Sequence, residues 1–390
     1  MRVLVLHNRY QISGGEDVVV QAEKALLEAN GHDVTLFEAT NDNIVGCLEK
    51  AKTAVSAIYS PSSKRRVREE IAKFSPHIVH VHNYFPLLSP SVFYACQEAG
   101  VPVVQTLHNY RLLCANAYLF REGRVCEDCV GKRFPWPGVV NGCYRDSKVG
   151  TAIVGTMQSV HRTVQTWTKM IDAYIALTEF ARQKFIQGNL PAEKIVVKPN
   201  FLFSDPGNGE GKGGYALFVG RLSPEKGLDK LFQAWEKIGE KMPLKIVGDG
   251  QLADTVAEAS RKLKGVEWLG RQPKEQVLAL MKEATVLVFP SLWYEGLPMV
   301  IAEAYAVGLP VITSDLGSTS SLVKHGCTGL HFRPGDADEL VAQIEWVLTH
   351  PVELAQMRRQ ARAEFETKYT ADRNYQMLMN IYEQVLSCKV

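Results

Sequence analysis

The sequence predicts an α/β protein built from two domains, each a parallel sheet with helices on both faces. Short apolar runs with strand character alternate with segments of helical periodicity along most of the chain, which is typical of parallel sheets connected by helices. Residues 201–214 interrupt this alternation with five glycines and a proline, so we expect a linker there. With 390 residues, each half is long enough to bury a core of its own.

The N-terminal domain is predicted to span residues 1–200. A helix is expected at about 16–30, because its apolar residues recur at helical spacing and Gly31 follows it. Residues 112–148 are predicted as an insertion that contains several cysteines. The predicted strands of this domain are 2–7, 34–37, 78–82, 103–107 and 173–177.

The C-terminal domain is predicted to span residues 215–371 and to repeat the same alternation. A last helix is expected at about 372–386, within the terminal segment 372–390. The predicted strands of this domain are 215–219, 244–247, 266–269, 286–289, 310–313 and 330–332.

The charge distribution argues against a nucleic-acid partner. The chain has 44 Lys and Arg and 42 Asp and Glu, which gives a formal net charge of +2. Residues 1–200 contain 23 basic against 18 acidic residues, and residues 201–390 contain 21 against 24. A nucleic-acid-binding domain would show a denser basic face than this.

The start of the chain and its hydropathy predict a cytoplasmic protein. The chain begins directly with a predicted strand, and no apolar stretch is long enough to span a bilayer. A basic cluster lies on a predicted helix and has two interpretations, a solvated face or a contact with anionic lipid headgroups at the inner face of the membrane. The cluster consists of Lys64, Arg65, Arg66 and Arg68.

Two carboxylates give the strongest functional signal. Glu295 follows the predicted strand 286–289, and Glu303 lies in the apolar helix that follows a Gly-Leu-Pro turn. Ligands of open α/β sheets bind at the carboxyl ends of the strands, where carboxylates accept strong hydrogen bonds from sugar and ribose hydroxyls. The alternative is a solvated helix acid beside a loop acid.

A basic loop upstream predicts an anion site. A predicted strand ends in Gly220 and Arg221, and Lys226 lies just before the next helix. Helix N-termini bind anions, and a guanidinium can grip two phosphate oxygens at once. Another predicted strand ends in glycines that would let a ligand approach the backbone, in the segment Gly248, Asp249 and Gly250.

Two features of the N-terminal half fit the same kind of site. Gly14 and Gly15 lie in the first strand-to-helix loop, where backbone amides can face a phosphate or a sugar; a simple turn is the alternative. His108 ends a predicted strand, and this position favours a functional histidine over a structural one.

In this order, the motifs resemble those of the retaining, nucleotide-sugar-dependent glycosyltransferases of family four, which have the GT-B fold. The resemblance covers nearly the whole chain. It implies two Rossmann-like domains with parallel sheets facing a central cleft, and a terminal helix that packs back on the N-terminal domain. It also implies retaining transfer of a sugar from a UDP- or GDP-type donor to a glycan or lipid-linked acceptor, as in the assembly of bacterial surface polysaccharides.

The resemblance further implies roles for individual residues. Arg221 and Lys226 would stabilise the leaving diphosphate, Glu295 would bind sugar hydroxyls, Glu303 the ribose, and His108 the donor sugar. No Asp-x-Asp pair stands near these motifs, so we expect no catalytic metal or other cofactor. The remaining donor-binding residues are Gly14, Gly15, Gly220, Gly248, Asp249, Gly250, Arg271, Gly296 and Leu297, and those on the acceptor side are Asn83 and Asn109.

The chain departs from the family pattern in two places. Asn109 stands where relatives often have Asp, and an amide cannot act as a general base. Ser318 and Ser321 stand where many relatives have Gly and Glu. Because that loop is near the sugar and phosphates in relatives, the identity of the donor sugar stays open.

Half of the eight cysteines fall in the 112–148 insertion. Cys126 and Cys129 have the spacing of a zinc knuckle, and clustered thiols in a reducing cytosol favour zinc over disulfides. A zinc ribbon normally supplies two such knuckles, so structural zinc, unlinked thiols and disulfides all stay open. The four residues are Cys114, Cys126, Cys129 and Cys143.

Two hypotheses from other functional classes also remain. A GT-B nucleotide-sugar epimerase would change the donor sugar without an acceptor. A non-catalytic nucleotide-sugar-binding module would bind its ligand without turnover.

Overall fold

The chain forms two compact units in this computed structural model, which describes residues 1–9, 14–40 and 55–388. The main boundary falls after Phe203, inside the predicted linker. Residues 120–125 were expected within the N-terminal insertion but belong to the second unit. The first unit comprises Met1–Leu119, Cys126–Phe203 and Ala371–Val390, and the second comprises Phe120–Val125 and Ser204–Thr370.

Strands and helices alternate along both units, as the sequence predicts. Within the described residues, the strands are β1 (Arg2–Arg9), β2 (Asp33–Thr40), β3 (Ile78–Asn83), β4 (Val103–Leu107), β5 (Phe120–Arg121), β6 (Arg124–Val125), β7 (Ala173–Ala176), β8 (Ile195–Val197), β9 (Ala216–Val219), β10 (Leu244–Val247), β11 (Val266–Trp268), β12 (Val286–Phe289), β13 (Val311–Ser314) and β14 (Gly329–Phe332). The α-helices are α1 (Gly15–Ala29), α2 (Pro61–Phe74), α3 (Ser91–Glu98), α4 (Trp136–Val140), α5 (Lys148–Thr163), α6 (Thr166–Lys169), α7 (Glu179–Gln187), α8 (Leu228–Ile238), α9 (Ala253–Lys262), α10 (Lys274–Glu283), α11 (Met299–Ala306), α12 (Ser318–Leu322), α13 (Ala337–Thr349), α14 (Pro351–Lys368) and α15 (Ala371–Ser387).

The first unit is built on a parallel sheet in the order β2-β1-β3-β4-β7-β8. β1 lies between two partners, with Val3 opposite Val34 on one side and Ile78 on the other. Every residue of β3 and β4 is buried, as expected for strands that are covered on both faces. This explains why both strands are rich in apolar residues, although each also buries polar side chains.

The second unit repeats this architecture with a parallel sheet in the order β11-β10-β9-β12-β13-β14. Its core combines buried strand residues such as Leu244 and Val288 with Leu231 and Trp235 of α8. Two parallel α/β sheets along one chain confirm the predicted fold class.

The C-terminal helix α15 packs in the first unit. Leu378, Ile381 and Tyr382 of this helix share one apolar cluster with Val5 and Ile78 of the sheet. The burial of one apolar helix face against the sheet explains why the terminal segment belongs to the unit formed by the start of the chain.

All the strands predicted from the sequence are present, with ends shifted by at most a few residues. β5, β6 and β8 were not predicted, because runs of two or three residues are too short to show a periodicity. No helix in the described part of the chain combines the length and the apolarity needed to cross a membrane.

Parallel strands bring their carboxyl ends to one edge of each sheet. In the first unit, β3 and β4 are adjacent, which places His82 near His108. In the second unit, β9 lies between β10 and β12, so the loops after these strands are neighbours. These two edges carry most of the residues that the sequence singled out.

Candidate active site

The carboxylate of Glu295 is held at the carboxyl edge of the second sheet. It lies in the loop after β12 and is 7% exposed. Its Oε1 atom accepts hydrogen bonds from Lys226 Nζ at 2.6 Å, Trp293 Nε1 at 2.6 Å and Ser291 Oγ at 2.9 Å. Three donors on one oxygen fix the orientation of the carboxylate.

Lys226 is positioned by a tight turn that approaches β12. Its ammonium lies 5.2 Å from the ring centre of Phe289 and 5.6 Å from that of Trp293. The next residue, Gly227, has φ +71°, and a Cβ there would lie 2.1 Å from the carbonyl oxygen of Pro290. Only glycine allows this approach. The sequence assigned Lys226 and Glu295 to different parts of a ligand, and the structure places them in direct contact.

Arg221 offers the more exposed positive charge, with 55% of its side chain accessible. Its Nη2 donates to Glu225 Oε1 at 2.6 Å, and Ser223 Oγ donates to the same oxygen at 2.7 Å. Burial acts to raise the pKa of Glu225, but the hydrogen bonds from Ser223, the backbone and Arg221 lower it. Glu225 is therefore ionised at neutral pH and holds the guanidinium at the end of β9.

The glycines after β10 are required by the protein itself. Gly248 has φ +144°, and a Cβ there would lie 1.9 Å from the oxygen of Gly220; at Gly250 the nearest atom would be the oxygen of Leu222, at 2.5 Å. The sequence predicted these glycines as room for a ligand to approach the backbone. That explanation is incomplete, because the loop after β9 already occupies the space beside them. The Asp249 side chain bonds within the same loop, because its Oδ1 accepts a hydrogen bond from the Gly250 amide at 2.7 Å.

Two further residues complete the predicted donor group. Gly270 accepts from the Gly248 amide at 2.9 Å, which places the exposed Arg271 beside the same loops. Glu303 lies on α11, just after Gly296 and Leu297, and is 18% exposed with Lys274 Nζ at 3.8 Å. Burial raises the pKa of Glu303, and Lys274 partly opposes this.

The first unit contains a buried polar network that the sequence analysis missed. Glu23 of α1 places Oε1 3.0 Å from His80 Nδ1 and 3.2 Å from His82 Nε2, and Oε2 2.9 Å from Lys198 Nζ. Burial acts to raise the pKa of Glu23, but Lys198 and His80 lower it well below its usual value. The carboxylate is therefore charged and balanced by the ammonium. The signal that could have found it is His80 and His82 on one face of an otherwise apolar strand.

This network leads to His108, the histidine predicted from the sequence. His82 Nδ1 lies 2.9 Å from His108 Nε2, and the two rings are stacked. Burial, reinforced by His80, lowers the pKa of His82 to about 4. Burial and His82 likewise lower the pKa of His108 well below its usual value. Both imidazoles are therefore neutral at pH 7.

The two asparagines assigned to the acceptor side lie next to His82 and His108. Asn83 donates to the oxygen of Asn8 at 2.8 Å and accepts from the Phe85 amide at 3.0 Å, so its amide is occupied by backbone. Asn109 accepts from the Arg111 amide at 3.1 Å. Both asparagines line a cavity of about 30 Å³ with His82 and His108, which is room for a water molecule rather than a sugar.

Gly14 and Gly15 form the N-terminal end of α1. The Gly14 amide donates to Asp17 Oδ2 at 2.8 Å, and Asp17 Oδ1 lies 2.8 Å from His7 Nε2. A Cβ at either glycine would meet no atom within 4 Å, so nothing in the described structure requires glycine there. Residues 10–13 of this loop lie outside the described residues.

The four cysteines of the insertion lie in one region, and no disulfide joins them in the described structure. A Cβ built on Gly138 would lie 3.4 Å from Cys129 Sγ and 4.0 Å from Cys143 Sγ. A metal ion needs several His, Cys, Asp or Glu ligand atoms close together. Among the described residues, Glu23, His80 and His82 form such a group, with all ligand atoms within 4.8 Å of one another. Lys198 already balances the charge of that group. No three of the described cysteine sulfurs lie that close to one another.

Two concave surfaces of the second unit lie away from these residues. Cavities of about 560 and 510 Å³ are lined by the segments around Arg333 and Tyr215, respectively. Neither includes Arg221, Lys226 or Glu295. We place the site by its converging charged groups, since size alone does not define it.

Comparison with protein families covers nearly the whole chain. Residues 12–202 match the family described as "Glycosyltransferase Family 4", and residues 203–364 match "Glycosyl transferases group 1". A Bacillus subtilis protein named as a teichuronic acid biosynthesis glycosyltransferase, TuaC, is 31% identical over 324 residues, which cover 81% of this chain and 72% of TuaC.

Other relatives match over shorter segments. Glycogen synthase of Mycobacterium tuberculosis is 33% identical over 175 residues, or 43% of this chain, and D-rhamnosyltransferase WbpZ of Pseudomonas aeruginosa is 34% identical over 161 residues, or 40% of this chain. These matches span 41% and 42% of the respective relatives, so this chain aligns with about two fifths of their lengths.

Solved structures show the same fold. HepE of Anabaena, in complex with UDP and glucose, has a TM-score of 0.68 at 18% identity and covers 97% of this chain and 98% of its own. Sucrose-phosphate synthase of Thermosynechococcus elongatus has a TM-score of 0.72 at 15% identity and covers 99% of both chains. Together with the two Rossmann-like units, these likenesses define the class as GT-B. The chain belongs to the group 1 and family 4 glycosyltransferases, which confirms the predicted family.

Proposed function

We propose that this protein transfers a sugar from a UDP- or GDP-type donor to a glycan or lipid-linked acceptor, with retention of the anomeric configuration and without a catalytic metal. The observation that carries the proposal is the buried Glu295–Lys226 pair at the carboxyl edge of the second sheet, with the exposed guanidinium of Arg221 on the adjacent strand end. Such an edge is where α/β sheets bind ligands.

The chemistry follows from where negative charge develops. When the bond between the anomeric carbon and the diphosphate breaks, charge grows on the phosphate oxygens. Arg221 and Lys226 stabilise that charge, and because Lys226 is already held by Glu295, little reorganisation is needed. Glu295 accepts hydrogen bonds from sugar hydroxyls, and Glu303 accepts those of the ribose. Arg271 lies near the base.

The names of the relatives guide the choice of substrates. HepE was solved with UDP and glucose, and the names of TuaC and WbpZ refer to teichuronic acid biosynthesis and rhamnosyl transfer. These names support testing UDP-hexoses first and then GDP-sugars. They also support an acceptor in bacterial surface-polysaccharide assembly.

The test is a turnover assay with a panel of UDP- and GDP-sugars, with and without lipid-linked glycans extracted from bacterial membranes. We expect release of the nucleoside diphosphate that depends on the acceptor, and a product whose anomeric configuration matches the donor by NMR. An altered sugar nucleotide without acceptor would identify an epimerase instead. Tight binding of a donor with no turnover on any acceptor would favour a binding module.

Turnover should survive chelation. No Asp-x-Asp pair lies near the donor motifs. The cationic side chains of Arg221 and Lys226 are present to stabilise the charge of the diphosphate in place of a metal ion. We expect the rate with EDTA to stay within about twofold of the untreated rate, since no divalent ion bridges the diphosphate. A loss of activity that magnesium or manganese restores, and zinc does not, would contradict this proposal.

The basic helix α2 is proposed to contact anionic membrane at the cytoplasmic face. Arg65, Arg66 and Arg68 are exposed on it, whereas Lys64 is paired with Glu98. Each basic residue near an anionic surface contributes about 1 kcal/mol. The double variant Arg65→Glu/Arg68→Glu should therefore lose binding to phosphatidylglycerol vesicles in sedimentation.

A matched control for this experiment is Arg261→Glu/Lys264→Glu, which reverses two exposed charges of the second unit. The control should bind the vesicles as the wild type does. Equal binding of both variants, or equal binding to neutral phosphatidylcholine vesicles, would leave α2 as a solvated helix.

A further inference from the structure

Residues 120–148 of the cysteine-containing insertion have very little core of their own, whereas residues 112–119 before them are mostly buried and include Cys114. From residue 120 to residue 148, the buried residues are Pro135, Gly138 and Gly142, and every other residue is at least partly exposed. Its regular structure is limited to β5, β6 and the five-residue helix α4. Segments that cannot bury enough apolar surface usually need a disulfide or a metal to hold one conformation.

Two of the cysteines lie near the middle of this poorly packed segment. Cys129 and Cys143 lie on either side of Gly138, at 3.4 and 4.0 Å from the position of a Cβ there. The Cys143 amide donates to the Gly138 oxygen at 3.0 Å, and the Cys126 amide donates to the Leu119 oxygen at 2.8 Å. These backbone bonds tie Cys143 to Gly138 and Cys126 to Leu119.

Cys129 lies in a turn formed by residues 127–130, directly after Cys126. The Val130 amide donates to the Glu127 oxygen at 2.9 Å, and Gly131 follows with φ +73°. A Cys-x-x-Cys pair on a tight turn presents two sulfurs on the same side, as a zinc knuckle does. Cys114, Cys126 and Cys143 lie near enough to Cys129 to interact with it electrostatically.

We propose that Cys114, Cys126, Cys129 and Cys143 together bind one zinc ion that fixes the conformation of the insertion. Binding replaces the four thiol protons by Zn²⁺, so four protons are released and four Zn–S bonds of about 2.3 Å form. The sulfurs must draw closer than they are in this structure. They can do so because none of the four cysteines lies in a strand or helix. This site is independent of the proposed glycosyl transfer.

The first experiment measures metal content. Protein purified in a phosphine reductant and without chelator should contain about one zinc per chain by elemental analysis. Protein stripped of metal and reloaded with Co²⁺ should show the strong near-ultraviolet thiolate-to-cobalt absorption of tetrahedral sulfur ligation. In the unmutated protein, titration with a mercurial reagent should release the zinc as the four thiols react.

The second experiment uses matched variants. Cys126→Ser/Cys129→Ser should lose the metal, and protease should then cleave within 120–148, because the ordering of the segment depends on zinc. The control Cys327→Ser/Cys388→Ser changes two cysteines outside the insertion and should keep one zinc. Nucleotide binding by the second unit should persist in both variants.

Three outcomes would overturn the proposal. They are a metal-free protein that also fails to bind Zn²⁺ or Co²⁺, zinc that remains in Cys126→Ser/Cys129→Ser, and a disulfide within the insertion detected by mass spectrometry of freshly lysed cells. The mercurial titration decides the matter if the double variant does not fold, since it uses the native protein.

Discussion

Glu295→Gln should lower the turnover number by about 10²–10³-fold, because a preorganised charged partner in the active site typically contributes that much. The amide keeps an oxygen for Ser291 and Trp293, but it no longer balances Lys226 at 2.6 Å. Sugar hydroxyls would also lose a charged acceptor. Steady-state kinetics with saturating donor measures the effect, and the melting temperature checks that the variant is folded.

The matched control for this substitution is Glu236→Gln. Glu236 is exposed on α8 of the same unit, and removing its charge should leave turnover unchanged. If Glu295→Gln retained a rate near that of the control, Glu295 would not belong to the site.

Lys198→Met should be among the most destabilising single substitutions in the first unit. Lys198 and Glu23 are each 2% exposed, and the variant leaves the Glu23 carboxylate buried without its counter-charge. Removing one partner of a buried pair costs about 3–5 kcal/mol. We expect a clear fall in the urea midpoint of the first unit. Tryptophan fluorescence and circular dichroism should both be used to monitor unfolding, because a two-unit chain does not unfold in one step.

Two variants make this result interpretable. Lys24→Met, next to Glu23 in α1, breaks a more exposed pair with Glu28. This substitution should lower the stability by at most about 0.5 kcal/mol. Glu23→Gln/Lys198→Met removes both charges and should recover much of the lost stability. A Lys198→Met midpoint equal to that of Lys24→Met would show that the buried pair contributes little.

The same network predicts the pH dependence of stability. The pKa of His82 is lowered to about 4 in the folded protein, against about 6.5 when unfolded. Between these values the unfolded chain binds a proton that the folded chain does not, so stability should fall as the pH drops from 6.5 towards 4. The lowered pKa of Glu23 extends this loss to more acidic pH. His82→Gln should flatten the slope between pH 6.5 and 4.

The sequence was sufficient for the fold because the strands are unbroken apolar runs between helical segments. Every residue of β12 is buried, for example, and its neighbours along the chain have clear turn residues. The short strand β8 gave no such signal. The sequence also singled out Glu295, Arg221 and Lys226, since each stands beside a strand end.

The contacts between those residues could not be predicted in the same way. Lys226 and Glu295 are 69 positions apart, and Glu23 and Lys198 are 175 apart, so their pairing depends on strand order rather than on local pattern. Trp293 was overlooked because an aromatic residue in a loop resembles a packing residue. The sequence-based explanation of Gly248 was incomplete, because the close approach of the loop after β9 cannot be seen in the sequence around Gly248 alone.

The most direct test of the account is calorimetric titration of UDP and GDP into the wild type, Arg221→Ala and Lys226→Met. We expect one of the two nucleotides to bind the wild type, both variants to weaken this binding by at least about tenfold through loss of a phosphate contact, and Glu236→Gln to bind normally. Binding of neither nucleotide, or equal affinity in the wild type and both variants, would contradict the proposal that this edge of the sheet holds the donor diphosphate.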